Sequence, residues 1–102
     1  MSSEGSRVAI VTGGSDGIGK ASSLALAKSG IDVAVLDKKR EEGLKTIDEA
    51  INLPTKVIYL QTDVSEQEQV RKSVAQVLSE FRRIDILING AGIVSPLKYF
   101  FG

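Results

Sequence analysis

Four short apolar runs, each followed by a stretch with helical spacing or a glycine turn, constrain this chain more than any single motif. The runs are "VAIVT" at 8–12, "DVAVLD" at 32–37, "KVIYLQTD" at 56–63 and "IDILIN" at 84–89. They are short and rich in β-branched residues, which predicts strands rather than helices. "VAIVT" shows no polar alternation and is followed by glycine, so it suits a strand buried on both faces. Between the runs, Ile18, Ala21, Leu24, Ala25 and Ala27 recur at mostly helical spacing, and Gly30 is placed to end that helix. Leu44, Ile47 and Ile51 mark one face of a second helix, closed by Asn52 and Pro54. Val70, Val74, Val77, Leu78 and Phe81 mark a third, and Ser65-Glu66-Gln67-Glu68 ahead of it has the pattern of a capping box. Strand–helix units repeated in this way imply right-handed crossovers, hence a parallel sheet with helices on both faces. One hundred and two residues suit a single domain over 1–102.

Composition removes several classes of chemistry. The chain has no cysteine and no histidine, which excludes disulfides, thiolate nucleophiles, the usual zinc ligand sets and a Ser-His-Asp triad. Thirteen basic residues balance thirteen acidic ones, so no global field favours nucleic acid or an anionic membrane. The one basic cluster, Lys38-Lys39-Arg40, reads as a solvated loop. "MSSEGSR" has no basic region followed by a long apolar stretch, and the first apolar run is too short for a signal or a span. A soluble, cytoplasmic protein is expected, without nucleic-acid or membrane partners.

The stretch "TGGSDGIGKA" after the first run allows two ligands. Gly14 to Lys20 has the outline of a nucleotide-hydrolysing phosphate loop. Such a loop needs Ser or Thr directly after its lysine to bind magnesium, and Ala21 stands there. Thr12 to Gly19 instead has the outline of a dinucleotide-binding turn. A strand, a glycine turn and a helix bring free backbone N–H groups and a positive helix end to one point, which suits a pyrophosphate. Gly13 permits the tight turn, Gly17 the close approach of a ligand, and Gly19 the close packing of helix on strand. Asp37 closes the second run eighteen residues after Gly19, near the spacing at which an acid receives the hydroxyls of the adenosine ribose. That carboxylate repels a 2′-phosphate and so favours NAD over NADP, as does Asp16 in the loop, whereas Lys38 beside Asp37 argues the other way.

Three motifs in order, "TGGSDGIG", Asp63-Val64 and Asn89-Gly90-Ala91-Gly92, resemble those of the short-chain dehydrogenase/reductase family from about Arg7 to Gly92. The resemblance implies an α/β fold: a Rossmann-like doubly wound parallel sheet, truncated here after about four strands in the order 3-2-1-4 and three helices. Carried over, Gly13, Gly17, Ile18 and Gly19, with the backbone of Ser15 and Asp16, would line the pyrophosphate and adenosine ribose. Asp37 would take the ribose hydroxyls, and Asp63 and Val64 would contact the adenine. Asn89, Ala91 and Gly92 would form the floor beneath the ribose. The family usually has Asn where this chain has Gly90, a loss of one amide that predicts a looser turn and a weaker cofactor site.

Family catalysis uses a Tyr with a Lys four residues on, an upstream Ser, and an Asn from the fourth helix. Tyr59 is followed four residues later by Asp63, and Tyr99 stands three residues before the last. Neither makes the pair, so packing is expected for both, no catalytic residue is assigned, and this chain alone is expected to show no turnover. The resemblance thus implies the NAD(P)-binding portion of an oxidoreductase that moves a hydride between alcohol and carbonyl. The alternative is a non-catalytic NAD(P)-binding or pairing module. It would self-associate or join a full-length relative through an exposed, apolar fourth strand, with "LKYFF" as cover or contact.

Overall fold

The computed structural model describes residues 6–13 and 17–90. Four strands, β1 (Val8–Thr12), β2 (Asp32–Asp37), β3 (Val57–Gln61) and β4 (Ile86–Asn89), alternate with α1 (Gly17–Lys28), α2 (Arg40–Glu49) and α3 (Gln67–Phe81). All pairs are parallel and the order is β3-β2-β1-β4, as expected from the sequence. Central position explains the composition of the runs. Every residue of β1 and β2 is buried, whereas those of the edge strands β3 and β4 are mostly half-buried.

The sheet carries one apolar layer on each face. Val8, Ile10, Ala34 and Leu36 pack beneath Val70, Val74 and Val77 of α3, with Ile58, Leu60 and Leu87 around them. On the opposite face, Val11, Val33 and Val35 pack with Ala27 and Leu26 of α1 and with Val57, Tyr59 and Ile88. No described helix is long and apolar enough to cross a membrane.

The inward faces of α1 and α2 differ from those the sequence predicts. α1 buries Gly19, Ser23 and Ala27, four residues apart, while Ile18 is 79% exposed. Ser23 tolerates burial because its hydroxyl donates to the Gly19 carbonyl at 2.9 Å. α2 buries Gly43 and Thr46, with Ala50 just beyond its end, and leaves Leu44 and Ile51 47% and 72% exposed. In both helices small residues face the strands, so the bulk that fills the interface comes from the sheet. Gly43 shows this directly, since a Cβ built on it would overlap the Tyr59 ring.

The capping box is also not formed. α3 starts at Gln67 with Glu66 as its N-cap, and no side chain caps it. Ser65 is drawn elsewhere: its N–H and hydroxyl both donate to Asp63 Oδ1, at 3.0 and 2.6 Å. A charged acceptor two residues upstream outcompetes the neutral cap and closes an Asx turn. At the far end Arg82 adopts φ 69°, and its N–H closes on the Leu78 carbonyl at 2.8 Å. Gly30 ends α1 at φ 98°, as expected.

At the opposite, N-terminal edge of the sheet, carboxylates take the orphan strand donors. Asp32 Oδ1 accepts the Lys56 N–H at 3.0 Å, joining β2 to the start of β3. Asp85 Oδ2 accepts the Val8 N–H at 2.8 Å, while Arg83 bonds both Asp85 oxygens at 2.7 and 2.8 Å. The Arg83 hydrogen bonds first, then the Val8 N–H, hold the Asp85 carboxyl below the usual carboxylate range. A depressed folded-state pKa contributes stability that is present above the unfolded value of about 3.9 and lost as pH falls through the folded one. The melting temperature is therefore expected to drop on acidification below about pH 4. In Asp85→Asn that drop should be shallower; thermal unfolding from pH 7 to pH 2.5 with an unchanged slope would refute the assignment.

Candidate functional site

Because all strands run parallel, their C-terminal ends lie along one edge. The registers set Thr12 opposite Leu36 and Asn89, and Asp37 opposite Gln61. The crevice beyond such an edge is where open α/β sheets take ligands. Backbone bonds tie the edge together: Gly13 N–H to the Leu36 carbonyl at 2.8 Å, Gly90 N–H to the Thr12 carbonyl at 2.7 Å, and Thr62 N–H to the Asp37 carbonyl at 2.9 Å. The Thr12 hydroxyl donates to Asn89 Oδ1 at 3.1 Å, joining β1 to β4 by side chains as well.

Glycine shapes the turn into α1. Gly13 and Gly17 have φ of 63° and 57°, in the left-handed region that side chains resist. A Cβ built on Gly17 meets no described atom within 4 Å. Among the described residues, the first turn of α1 holds no acidic side chain. Lys20 is ion-paired with Glu49 on α2. The phosphate-loop reading thus loses its lysine as well as its hydroxyl.

Gly19 is buried against Gly90. A Cβ built on Gly90 would stand 2.7 Å from Gly19 Cα and 2.9 Å from the Thr12 carbonyl oxygen. The start of α1 and the end of β4 meet through bare backbone. At Gly90, where a looser turn is expected, the backbone lies too close to Gly19 and Thr12 to admit a side chain.

Asp37, at the end of β2, is largely buried, and its Oδ1 accepts the Lys39 N–H at 3.0 Å. Asp63 follows β3 along the same edge. Its N–H donates to Gln69 Oε1 at 2.8 Å. The Ser65 hydroxyl, then the Ser65 N–H, lower its pKa, so it is a carboxylate at neutral pH. Val64 is half-buried and packs against the core on the α3 side. Gly13, Gly17, Ile18, Gly19 and Asn89 thus gather where β1, α1 and β4 meet, with Asp37 and Asp63 further along the edge. Ser15, Asp16, Ala91 and Gly92 lie outside the described residues, as does Tyr99 with the "LKYFF" tail.

Sequence reasoning missed three contributors. Thr12, expected as the end of the first strand and the start of the glycine motif, also bonds Asn89 through its hydroxyl. Gly43 carried a usable signal, since glycine inside a helix is unfavourable unless something must come close. Tyr59, expected to pack, also donates from its hydroxyl to the Asp37 carbonyl at 2.8 Å.

The family described as short chain dehydrogenase matches residues 7–100. This chain belongs to the short-chain dehydrogenase family. It is 42% identical over 90 residues to 15-hydroxyprostaglandin dehydrogenase [NAD(+)] of Rattus norvegicus, covering 85% of this chain and 34% of that protein. Among solved structures it resembles a 3-oxoacyl-[acyl-carrier protein] reductase from Brucella melitensis at TM-score 0.80 and 37% identity, over 89% of this chain and 36% of that one. It also resembles an actinorhodin polyketide ketoreductase determined with NADPH, at TM-score 0.84 and 30% identity, over 91% of this chain and 36% of that one. This short-chain dehydrogenase sequence spans about a third of the length of the curated relatives it matches. The parallel order β3-β2-β1-β4 accords with that membership.

Proposed function

We propose that this chain supplies the dinucleotide-binding portion of an oxidoreductase that interconverts an alcohol and a carbonyl compound, and that it prefers NAD to NADP. The supporting observation is the convergence, on one sheet edge, of left-handed glycines at a helix start and the acid Asp37 closing the next strand. That donor set fits a dinucleotide. Free N–H groups at the start of α1 suit a pyrophosphate, and a carboxylate suits vicinal hydroxyls.

Each residue has a task in this reading. The turn around Gly13, Gly17 and Gly19 holds the pyrophosphate, and Asp37 accepts hydrogen bonds from the adenosine ribose. Asp63 and Val64 flank the adenine, while Asn89, Ala91 and Gly92 support the ribose from below. Ile18 and the backbone of Ser15 and Asp16 line the pyrophosphate and ribose with those glycines. The nicotinamide, once held, carries the hydride in such chemistry. This chain's own part is to bind and orient.

The NAD preference rests on charge. A 2′-phosphate brings roughly two negative charges at neutral pH, and the Asp37 carboxylate would stand against them. Rat 15-hydroxyprostaglandin dehydrogenase is named for NAD(+), whereas the ketoreductase structure holds NADPH, so relatives of both kinds exist, and the charge of Asp37 is what supports NAD here. Titration of the chain with NADH and with NADPH, followed by reduced-nicotinamide fluorescence, should show NADH binding at least about tenfold more tightly. Equal affinities, or tighter NADPH binding, would contradict the preference.

A further inference from the structure

Tyr59 lies on β3, one strand away from the glycine turn, yet it touches the ribose-binding end of β2. Its hydroxyl donates to the Asp37 main-chain carbonyl at 2.8 Å. The same carbonyl accepts the Thr62 N–H at 2.9 Å, so both lone pairs of that oxygen are engaged. The ring is set in place from the other side. It packs with Val33 and Val35 of β2, and α2 passes over it at Gly43, where any Cβ would overlap the ring. Tyr59 and Thr62 hold the Asp37 carbonyl, and the Lys39 N–H holds its carboxylate.

On the dinucleotide reading above, we propose that Tyr59 is a positioning residue for cofactor binding, fixing the Asp37 backbone so that its carboxylate meets the adenosine ribose. Gly43 is the matching half of the device, since it admits the ring beneath α2. Burial, and then the Asp37 charge, raise the Tyr59 pKa above its ordinary value. The phenol therefore stays protonated and able to donate throughout the neutral range. This role is separate from proton transfer to a substrate and needs no lysine partner.

Tyr59→Phe keeps the ring against Gly43 and removes only the donor, so it isolates the hydrogen bond. We expect NADH affinity to fall roughly two- to tenfold, the span of one neutral hydrogen bond. In an Asp37→Ala background the same substitution should change NADH affinity less than about twofold, because the carboxylate it positions is gone. Without any ligand, Tyr59→Phe should speed amide hydrogen exchange at Lys39, whose N–H rests on that carboxylate. A merely structural role predicts a lower melting temperature with equal loss of NADH affinity in both backgrounds, or none, and either result overturns the proposal. If the unaltered chain binds no NADH, the dinucleotide reading fails and this inference falls with it. If it binds NADH and the two backgrounds respond alike, only the role of Tyr59 is wrong.

Discussion

Replacing Asp37 by alanine is expected to weaken NADH binding by about 10- to 100-fold, the cost of losing charge-assisted hydrogen bonds to two hydroxyls. NADPH should respond in the opposite direction, since removing the carboxylate removes the repulsion of a 2′-phosphate and leaves Lys38 beside it. The preference between the two should therefore narrow or reverse. Asp37→Asn separates charge from structure. Its amide oxygen can still accept the Lys39 N–H that Asp37 Oδ1 accepts at 3.0 Å. It should recover most of the stability lost in the alanine variant and only part of the NADH affinity. Equal effects of both substitutions on NADH and NADPH would show that Asp37 supports the end of β2 and does not read the ribose.

Gly90→Asn should destabilise the fold by about 1–3 kcal/mol, the usual cost of overpacking, and lower the melting temperature by about 5–15 °C. The new Cβ would meet Gly19 Cα at 2.7 Å and the Thr12 carbonyl oxygen at 2.9 Å. Both are backbone atoms and cannot swing aside as a flexible side chain can. Either β4 or the start of α1 must move, and the N–H groups at Gly17 and Gly19 move with it, so NADH affinity should drop as well. This outcome is opposite to the one the motif suggests, in which asparagine restores a missing amide. Thermal unfolding of Gly90→Ala and Gly90→Asn decides between them: both destabilised supports the backbone contact, and an asparagine variant at or above the parent melting temperature refutes it.

The contrast at Gly90 indicates which parts of the molecule could be read from its sequence. Central strands were legible because burial on both faces forces a continuous apolar run, as in "VAIVT" and "DVAVLD". Their parallel arrangement follows from the intervening helices, and the positions of Gly13, Gly17, Gly19 and Asp37 follow from that arrangement. Helix faces were harder. α1 and α2 approach the sheet through Gly19, Ser23, Ala27, Gly43 and Thr46, which carry little hydrophobic signal, while Ile18 and Ile51 point to solvent. The capping box failed for a local reason, because Asp63 captured the serine that should have capped α3. The partners in contacts between distant residues, Gly90 for Gly19 and Asp37 for Tyr59, have no local signature.

On the proposed reading, a nicotinamide dinucleotide sits at the C-terminal edge of the sheet, between the start of α1 and the end of β2. Amide chemical-shift mapping of the isotopically labelled chain during titration with NADH tests this most directly. Saturable shifts are predicted at Gly13, Gly17, Ile18, Gly19, Lys38, Lys39, Val64 and Gly90, with the opposite edge around Asp32, Lys56 and Asp85 left unchanged. Absence of saturable shifts, or shifts centred on that opposite edge, would contradict it.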